Sequence, residues 1–164
     1  MGRAIGTLQQ ELNNDYDTAE EWLLHYQERL KQYYKDLSYI RSETQMPEVF
    51  VRTGPGNVVM QKVISLAELE KRERWLIVVE MVQDMLGPKK LLFLELRRKA
   101  ADKNKKVNGR EVWRSYVQVH YSDEMSKLHS ITSDKFWLHD NTITNWWIEI
   151  VSLVRIVALK KGCL

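Results

Sequence analysis

Apolar and aromatic side chains recur at spacings of three and four along most of this 164-residue chain, and that period leaves little choice of fold. Trp22, Tyr26, Leu30, Tyr33, Leu37 and Ile40 are separated by four, four, three, four and three residues, one stripe of a helix of roughly 23 residues. Thr18-Ala-Glu-Glu21 ahead of it has the form of a capping box and predicts a helix start at Thr18. Leu69, Leu76, Val79, Val82 and Leu86 form a second stripe, preceded by another capping-box pattern, Ser65-Leu-Ala-Glu68. Ile143, Trp146 or Trp147, Ile150, Val154, Val157 and Ala158 form a third. Alternation with a period of two is nearly absent, so the expected class is all-α.

Punctuation divides the chain. Pro47 and Gly54-Pro55-Gly56-Asn57 interrupt the pattern, because two glycines around a proline do not continue a helix. The expected organisation is an N-terminal helical arm at 1–46, a linker at 47–57 and a helical domain at 58–164, with a short helix starting at Asn57. Gly87-Pro88 ends the second stripe and opens another helix with proline in its first position. Residues 103–109 read as a polar loop, with Asn108 and Glu111 as caps of a following helix that carries Val112, Trp113, Tyr116 and Val117. Ser122 is expected to cap a short segment ending near Leu128, with a turn at 130–134.

Charge is uneven. The net value of +3 hides ten Lys and Arg against fourteen Asp and Glu in residues 1–86, and fifteen against eight in 87–164. Residues 97–114 alone hold Arg97, Arg98, Lys99, Lys103, Lys105, Lys106, Arg110 and Arg114 against Asp102 and Glu111. Such a run is either a solvated face or a footprint for a polyanion, and a second feature has to decide.

The third stripe supplies that feature. Asp140 or Asn141 is the expected cap of its helix, Lys160 and Lys161 complement the negative end of the helix dipole, and Gly162 suits a left-handed cap. The body is an anchor, while Asn141, Thr142, Thr144 and Asn145 make the first turn polar. A core-packed body with a nose of small amides and hydroxyls is what a recognition helix needs, since Asn pairs with adenine and Thr reaches phosphates or thymine methyls. A short helix, a turn and this longer helix (about 141–161) follow the order of a helix-turn-helix, though residues 130–139 exceed its usual turn. Expected groove contacts are Asn141, Thr142, Thr144, Asn145 and Trp147; expected phosphate contacts are Arg97, Arg98, Lys105, Lys106, Arg110, Lys135, His139 and Lys160. The partner they imply is double-stranded DNA.

Other chemistry finds no support. His25, His120, His129 and His139 are scattered without a second ligand at helical spacing, so no metal is expected. Phosphate-binding loops, nucleophile elbows and dinucleotide fingerprints are missing, and neither an enzyme nor a cofactor is expected. Cys163, the single cysteine, has no partner for an internal disulfide. With no leader-like apolar start and no uninterrupted apolar run of roughly 18–20 residues, the expectation is a cytoplasmic protein without membrane contact.

The strings LAELEKRERWLIVVEMVQDMLGPKKLLFLELRRKA (66–100) and WLHDNTITNWWIEIVSLVRIVALKKG (137–162) resemble the RinA/ArpU-type phage transcriptional regulators. Residues 85–90 stand where that family has a phrase ending its helix pair, 52–62 are similar to its linker, and 139–151 resemble its recognition helix. The resemblance carries the DNA-facing phrase onto Thr142, Asn145, Trp146 and Trp147. It departs at the cap, where the family's serine is Asp140 or His139, and after the threonine, where Thr144, Asn145 and tryptophans replace basic residues. It implies a C-terminal helix-turn-helix similar to sigma factor region 4, a phage or prophage origin, and activation of late genes together with host RNA polymerase. The acidic, tyrosine-bearing N-terminal helix is the expected surface for self-association or polymerase contact. Two alternatives remain from the residues: a phage small terminase subunit on packaging DNA, and a helical protein-interaction module.

Overall fold

The structure, a computed structural model, describes residues 2–45 and 55–164, with side chains described for 6–42 and 66–164. Its elements are α1 (Gly2–Leu24), α2 (Tyr26–Gln45), α3 (Pro55–Met85), α4 (Pro88–Lys99), β1 (Lys106–Val107), β2 (Arg110–Glu111), α5 (Val112–His129) and α6 (Asp140–Lys160). The chain is mostly helical, as its periodicity requires. The expected linker at 47–57 lies outside the described residues up to Gly54, and its last three residues open α3.

One core joins the two ends of the sequence. Ala19 and Leu23 of α1, Trp75, Val78, Val79 and Val82 of α3, Phe93 of α4 and Ile143, Ile150 and Val154 of α6 belong to a single buried cluster. The last turns of α1 pack along α6, and α2 packs along α3. The N-terminal segment is therefore not an arm set apart from the rest: its α1 supplies one wall of the core, and the wall it covers is the apolar face of α6. Trp22 and Trp75 stack with planes 1° apart and centroids at 5.5 Å, and the Arg29 guanidinium lies over the Trp22 ring at 4.2 Å. Only the first half of α1 stands clear, with Leu8 and Leu12 exposed.

Three expected helix starts fall inside helices. Thr18 lies in the last third of α1, where its hydroxyl donates to the Asn14 carbonyl at 2.8 Å. The break comes instead at His25, and the backbone bonds His25 to Glu21 (3.1 Å) and Arg29 to His25 (2.9 Å) carry the ladder across it. Glu68 and Ser65 sit mid-α3, a helix without a restart. Ser122 sits mid-α5, its hydroxyl donating to the Val119 carbonyl at 3.0 Å, the back-bonding that lets a serine stay inside a helix.

Between α4 and α5 the expected polar loop is a hairpin. Lys106 pairs with Glu111 and Val107 with Arg110, and the two residues between, Asn108 (φ 53°) and Gly109 (φ 77°), are both left-handed. That is the Asn-Gly two-residue turn whose twist matches an antiparallel pair. Residues 130–139 then connect α5 to α6 through a left-handed Ser130 and a single 3-10 turn, Ser133–Phe136.

α6 starts one residue earlier than expected. His139 is its N-cap without a side-chain cap bond, and Asp140 is the first helical residue. At the other end Gly162 takes φ 70°, Cys163 N–H donates to the Ala158 carbonyl at 2.9 Å and Gly162 N–H to Leu159 at 3.2 Å, the paired bonds of a Schellman cap. By length and composition α6 is also long and apolar enough to cross a membrane. In this fold its Ile143, Ile150, Val151 and Val154 are fully buried against the other helices.

Candidate nucleic-acid interface

The first turns of α6 meet the basic hairpin. Asn141 and Asn145 are exposed on the outer side of α6, opposite the buried Ile143 and Trp147. Arg110, at the end of the hairpin, donates from Nη2 to Asp140 Oδ1 at 2.6 Å, and Arg114, in the first turn of α5, donates from Nη1 to Thr144 Oγ1 at 2.8 Å. These two contacts fix the hairpin beside the α6 nose. Lys105 and Lys106 at the hairpin are exposed, and Lys106 lines one cleft with Asp140, the first residue of α6. That cleft, of about 400 Å³, is lined by Lys106, Gly109, Arg110, Glu111, Arg114 and Asp140.

Several of the residues expected at the site are elsewhere. Trp147 is buried, its indole N–H donating to Glu20 Oε1 of α1 at 2.7 Å, because the Ile143 and Ile150 side of α6 faces the core. Its neighbour Trp146 is half-buried, edge-on to Phe93 at 5.6 Å and to Tyr121 of α5 at 6.0 Å. Arg97 is 3% exposed and lies over the rings of Trp113 at 4.2 Å and Trp147 at 5.0 Å. Burial, the largest cause, pulls its pKa below the ordinary arginine value. Arg98 donates from Nε to the Leu23 carbonyl (2.8 Å) and from Nη1 to Gln83 (2.6 Å), tying α4 to α1 and α3, and burial lowers its pKa to about 10. Arg97 is thus buried in the core and Arg98 is bonded within the fold, rather than standing as free surface cations. A run of cations at the end of a helix that turns abruptly from apolar to basic belongs half to the core, and helical phase, not charge, decides which half.

Lys160 is exposed but stands at the far end of α6, roughly 28 Å along the helix axis from Asn141. Lys135, on the 3-10 turn, and His139, at the cap, are exposed on the connection that leads into the nose. Thr142 and Thr144 are half-buried, and Thr144 is engaged by Arg114. Of the expected site residues, Arg110 and Lys106 are brought to the α6 nose beside Asp140, while Asn141, Asn145 and Lys105 are exposed.

Two positioning residues lie outside the expected contacts. Arg114 is held by Glu111 Oε2 at 3.2 Å, and Glu111 also accepts the Trp113 indole N–H at 2.9 Å. Gln118, 4% exposed, accepts from Arg110 Nη2 at 2.6 Å while donating to the Leu138 carbonyl at 2.7 Å, a buried amide that joins hairpin, α5 and the approach to α6. The signal for the hairpin was present in the sequence as Asn108-Gly109 between short strand-like pairs.

No family model matches the chain, and no curated protein and no solved structure is found to be similar to it.

Proposed function

We propose that the protein binds double-stranded DNA in the cytoplasm and regulates transcription, with the nose of α6 reading the major groove and the hairpin holding the backbone. The observation that carries this reading is the coupling of the basic hairpin and the start of α5 to α6 through Arg110–Asp140 and Arg114–Thr144 at 2.6 and 2.8 Å. It supports a unit in which the exposed amides of Asn141 and Asn145 enter a groove while Lys105, Lys106, Lys135 and His139 meet phosphates on its walls. The connection from α5 through the 3-10 turn to α6 serves as the long turn of a helix-turn-helix in this reading. The resemblance to RinA/ArpU-type regulators adds the role, activation of late phage genes with host RNA polymerase, and rests on the motifs quoted above alone. Self-association belongs to the exposed half of α1, where Leu8 and Leu12 find no cover among the described residues.

Selection of source-genome fragments on the immobilised protein at about 150 mM salt, where phosphate-only binding is weakened, tests the reading. Enrichment upstream of a late operon is the expected outcome; enrichment beside a packaging site makes the protein a terminase subunit. Asn145→Ala is expected to cost about 1–3 kcal/mol on the selected site and little on random sequence. Equal losses on both would remove the base-reading role.

A protein-interaction role is the second reading, favoured by one observation. Ile148, Ile156 and Leu159, each about half exposed, continue the Asn141 and Asn145 row along the outside of α6. Failure to enrich any fragment at any salt would assign α6 to a protein partner.

A further inference from the structure

The cleft between the hairpin and α6 has the chemistry of an anion site, with the Asp140 carboxylate at its edge. Three cationic side chains, Lys106, Arg110 and Arg114, line about 400 Å³ together with two carboxylates, Glu111 and Asp140. The two acids are differently committed. Glu111 accepts from both Trp113 Nε1 and Arg114 Nε, so it belongs to the wall. Asp140 has Arg110 as its partner and is 58% exposed.

The Arg110 fork stays aimed without Asp140. Its Nη1 donates to Ser115 Oγ at 2.8 Å, and its Nη2 to Gln118 Oε1 at 2.6 Å, with Gln118 itself locked by the Leu138 carbonyl. Lys106 is exposed and has no ion-pair partner among the described residues. An arriving phosphate therefore meets prepositioned donors, and the group it displaces is a carboxylate that returns to water while Arg114–Thr144 and the Gln118 bonds keep the hairpin beside α6. Exchange of one anion for another leaves no buried charge unpaired, which is the usual cost of opening an ion pair.

We propose that this cleft is an oxyanion site that takes a phosphate of a nucleic-acid backbone, with the Asp140 carboxylate occupying Arg110 in the free protein. The nucleic-acid half of this assignment rests on the DNA-binding reading above; the oxyanion half does not. Arg114 joins Lys106 and Arg110 as a ligand, and Asp140 is a competitor that lowers affinity for every sequence alike.

The test uses the full chain and a 20-base-pair duplex of random sequence, titrated by fluorescence anisotropy from 50 to 200 mM NaCl. Arg110→Ala is expected to weaken binding about tenfold or more and to make the salt slope shallower by about one. Asp140→Asn is expected to tighten binding by about two- to fivefold, the size of an exposed ion pair removed from competition. Lys106→Ala, at an exposed position, supplies a variant whose folding is not in question and is expected to weaken binding with the same change of slope. A second arm titrates inorganic phosphate and pyrophosphate against chloride at constant ionic strength, reading thermal stabilisation of wild type and Arg110→Ala. Duplex binding unchanged in all three variants would overturn the site while leaving the DNA reading intact. Stabilisation by pyrophosphate that needs Arg110, without duplex binding at any salt, would keep the oxyanion site for free phosphates and end the DNA reading. Neither response would overturn both.

Discussion

Arg97 offers the sharpest test of how this core is built. Its guanidinium lies 4.2 Å from the Trp113 ring and 5.0 Å from that of Trp147, with long bonds to the Ala100 carbonyl (3.4 Å) and Asn104 Oδ1 (3.3 Å), and its Nε has no partner. Arg97→Ala removes two buried methylenes, about 1.6 kcal/mol of transfer free energy, and two ring contacts of about 1–2 kcal/mol together. The cavity adds to that sum and release of a desolvated charge subtracts from it, so the expected loss is about 2–4 kcal/mol. For a chain of this size that lowers Tm by roughly 5–15 °C. Arg97→Met keeps the stem, sets a thioether against the same rings and discards the charge, and is expected to stay within about 1 kcal/mol of wild type. Urea denaturation of the three proteins, followed by the same duplex titration, decides. A methionine variant as unstable as the alanine variant would show that the cation itself is net stabilising. A methionine variant that folds but loses DNA affinity with a shallower salt slope would restore Arg97 to the phosphate contacts and refute its assignment to the core.

Alkaline pH tests the Tyr26–Glu80 bond of 2.6 Å, which with burial, the larger cause, pushes the Tyr26 pKa up to about 12. A folded value above the ordinary 10 means that the folded state keeps its proton longer than the unfolded chain. The contribution is therefore full below pH 10 and is lost as pH rises from 10 to 12, about 1–3 kcal/mol in all. Tyr26→Phe is expected to flatten that part of the difference in urea midpoint measured from pH 9 to 11.5, and parallel curves for the two proteins would refute it. Glu20→Ala leaves the Trp147 indole N–H, now bonded at 2.7 Å, without its acceptor and is expected to cost about 1–3 kcal/mol, while Glu20→Gln keeps an acceptor and costs less than half as much. Equal losses in thermal melts would show that α1 and α6 are held by packing alone.

The helical class was legible because burial stripes repeat over many turns, and Trp22, Leu76, Val79, Ile143, Ile150 and Val154 all face the core or its margin as their spacing required. Boundaries were less legible, for a physical reason. Thr18, Ser65 and Ser122 carry the residue types of caps, but a cap motif works only where a helix is already free to end, and tertiary packing of α1, α3 and α5 keeps those helices going. The hairpin was misread in the opposite way: its charge drew attention to Lys103, Lys105 and Lys106, while the turn chemistry of Asn108-Gly109 carried the structure. The exposure of Asn141 and Asn145 at the α6 nose was readable from their polarity. Arg97, Arg98 and Trp147 were not, since charge and aromatic content look the same on the buried and the exposed side of a helix until the neighbouring helices are known.

α6 has to satisfy two environments with one helical period, and that accounts for its polar start and apolar body. Its inner face, Ile143, Ile150 and Val154, is fully buried beside α1 and α3, and a cation inserted there would meet neither water nor a partner. The outer face is free to vary, and it changes character at Ile148: amides before it, exposed aliphatics after it. On the proposed DNA-binding reading, a groove admits only the leading turns of the helix, so the amides would meet bases and the aliphatics would not. The aliphatic row, Ile148, Ile156 and Leu159, is the kind of exposed apolar surface on which a second protein docks. DNA at the nose and protein along the body are thus compatible demands on one helix, and variants at Asn145 and at Ile156 should separate them: the first changing fragment selection with native mass in solution, the second changing mass with selection retained.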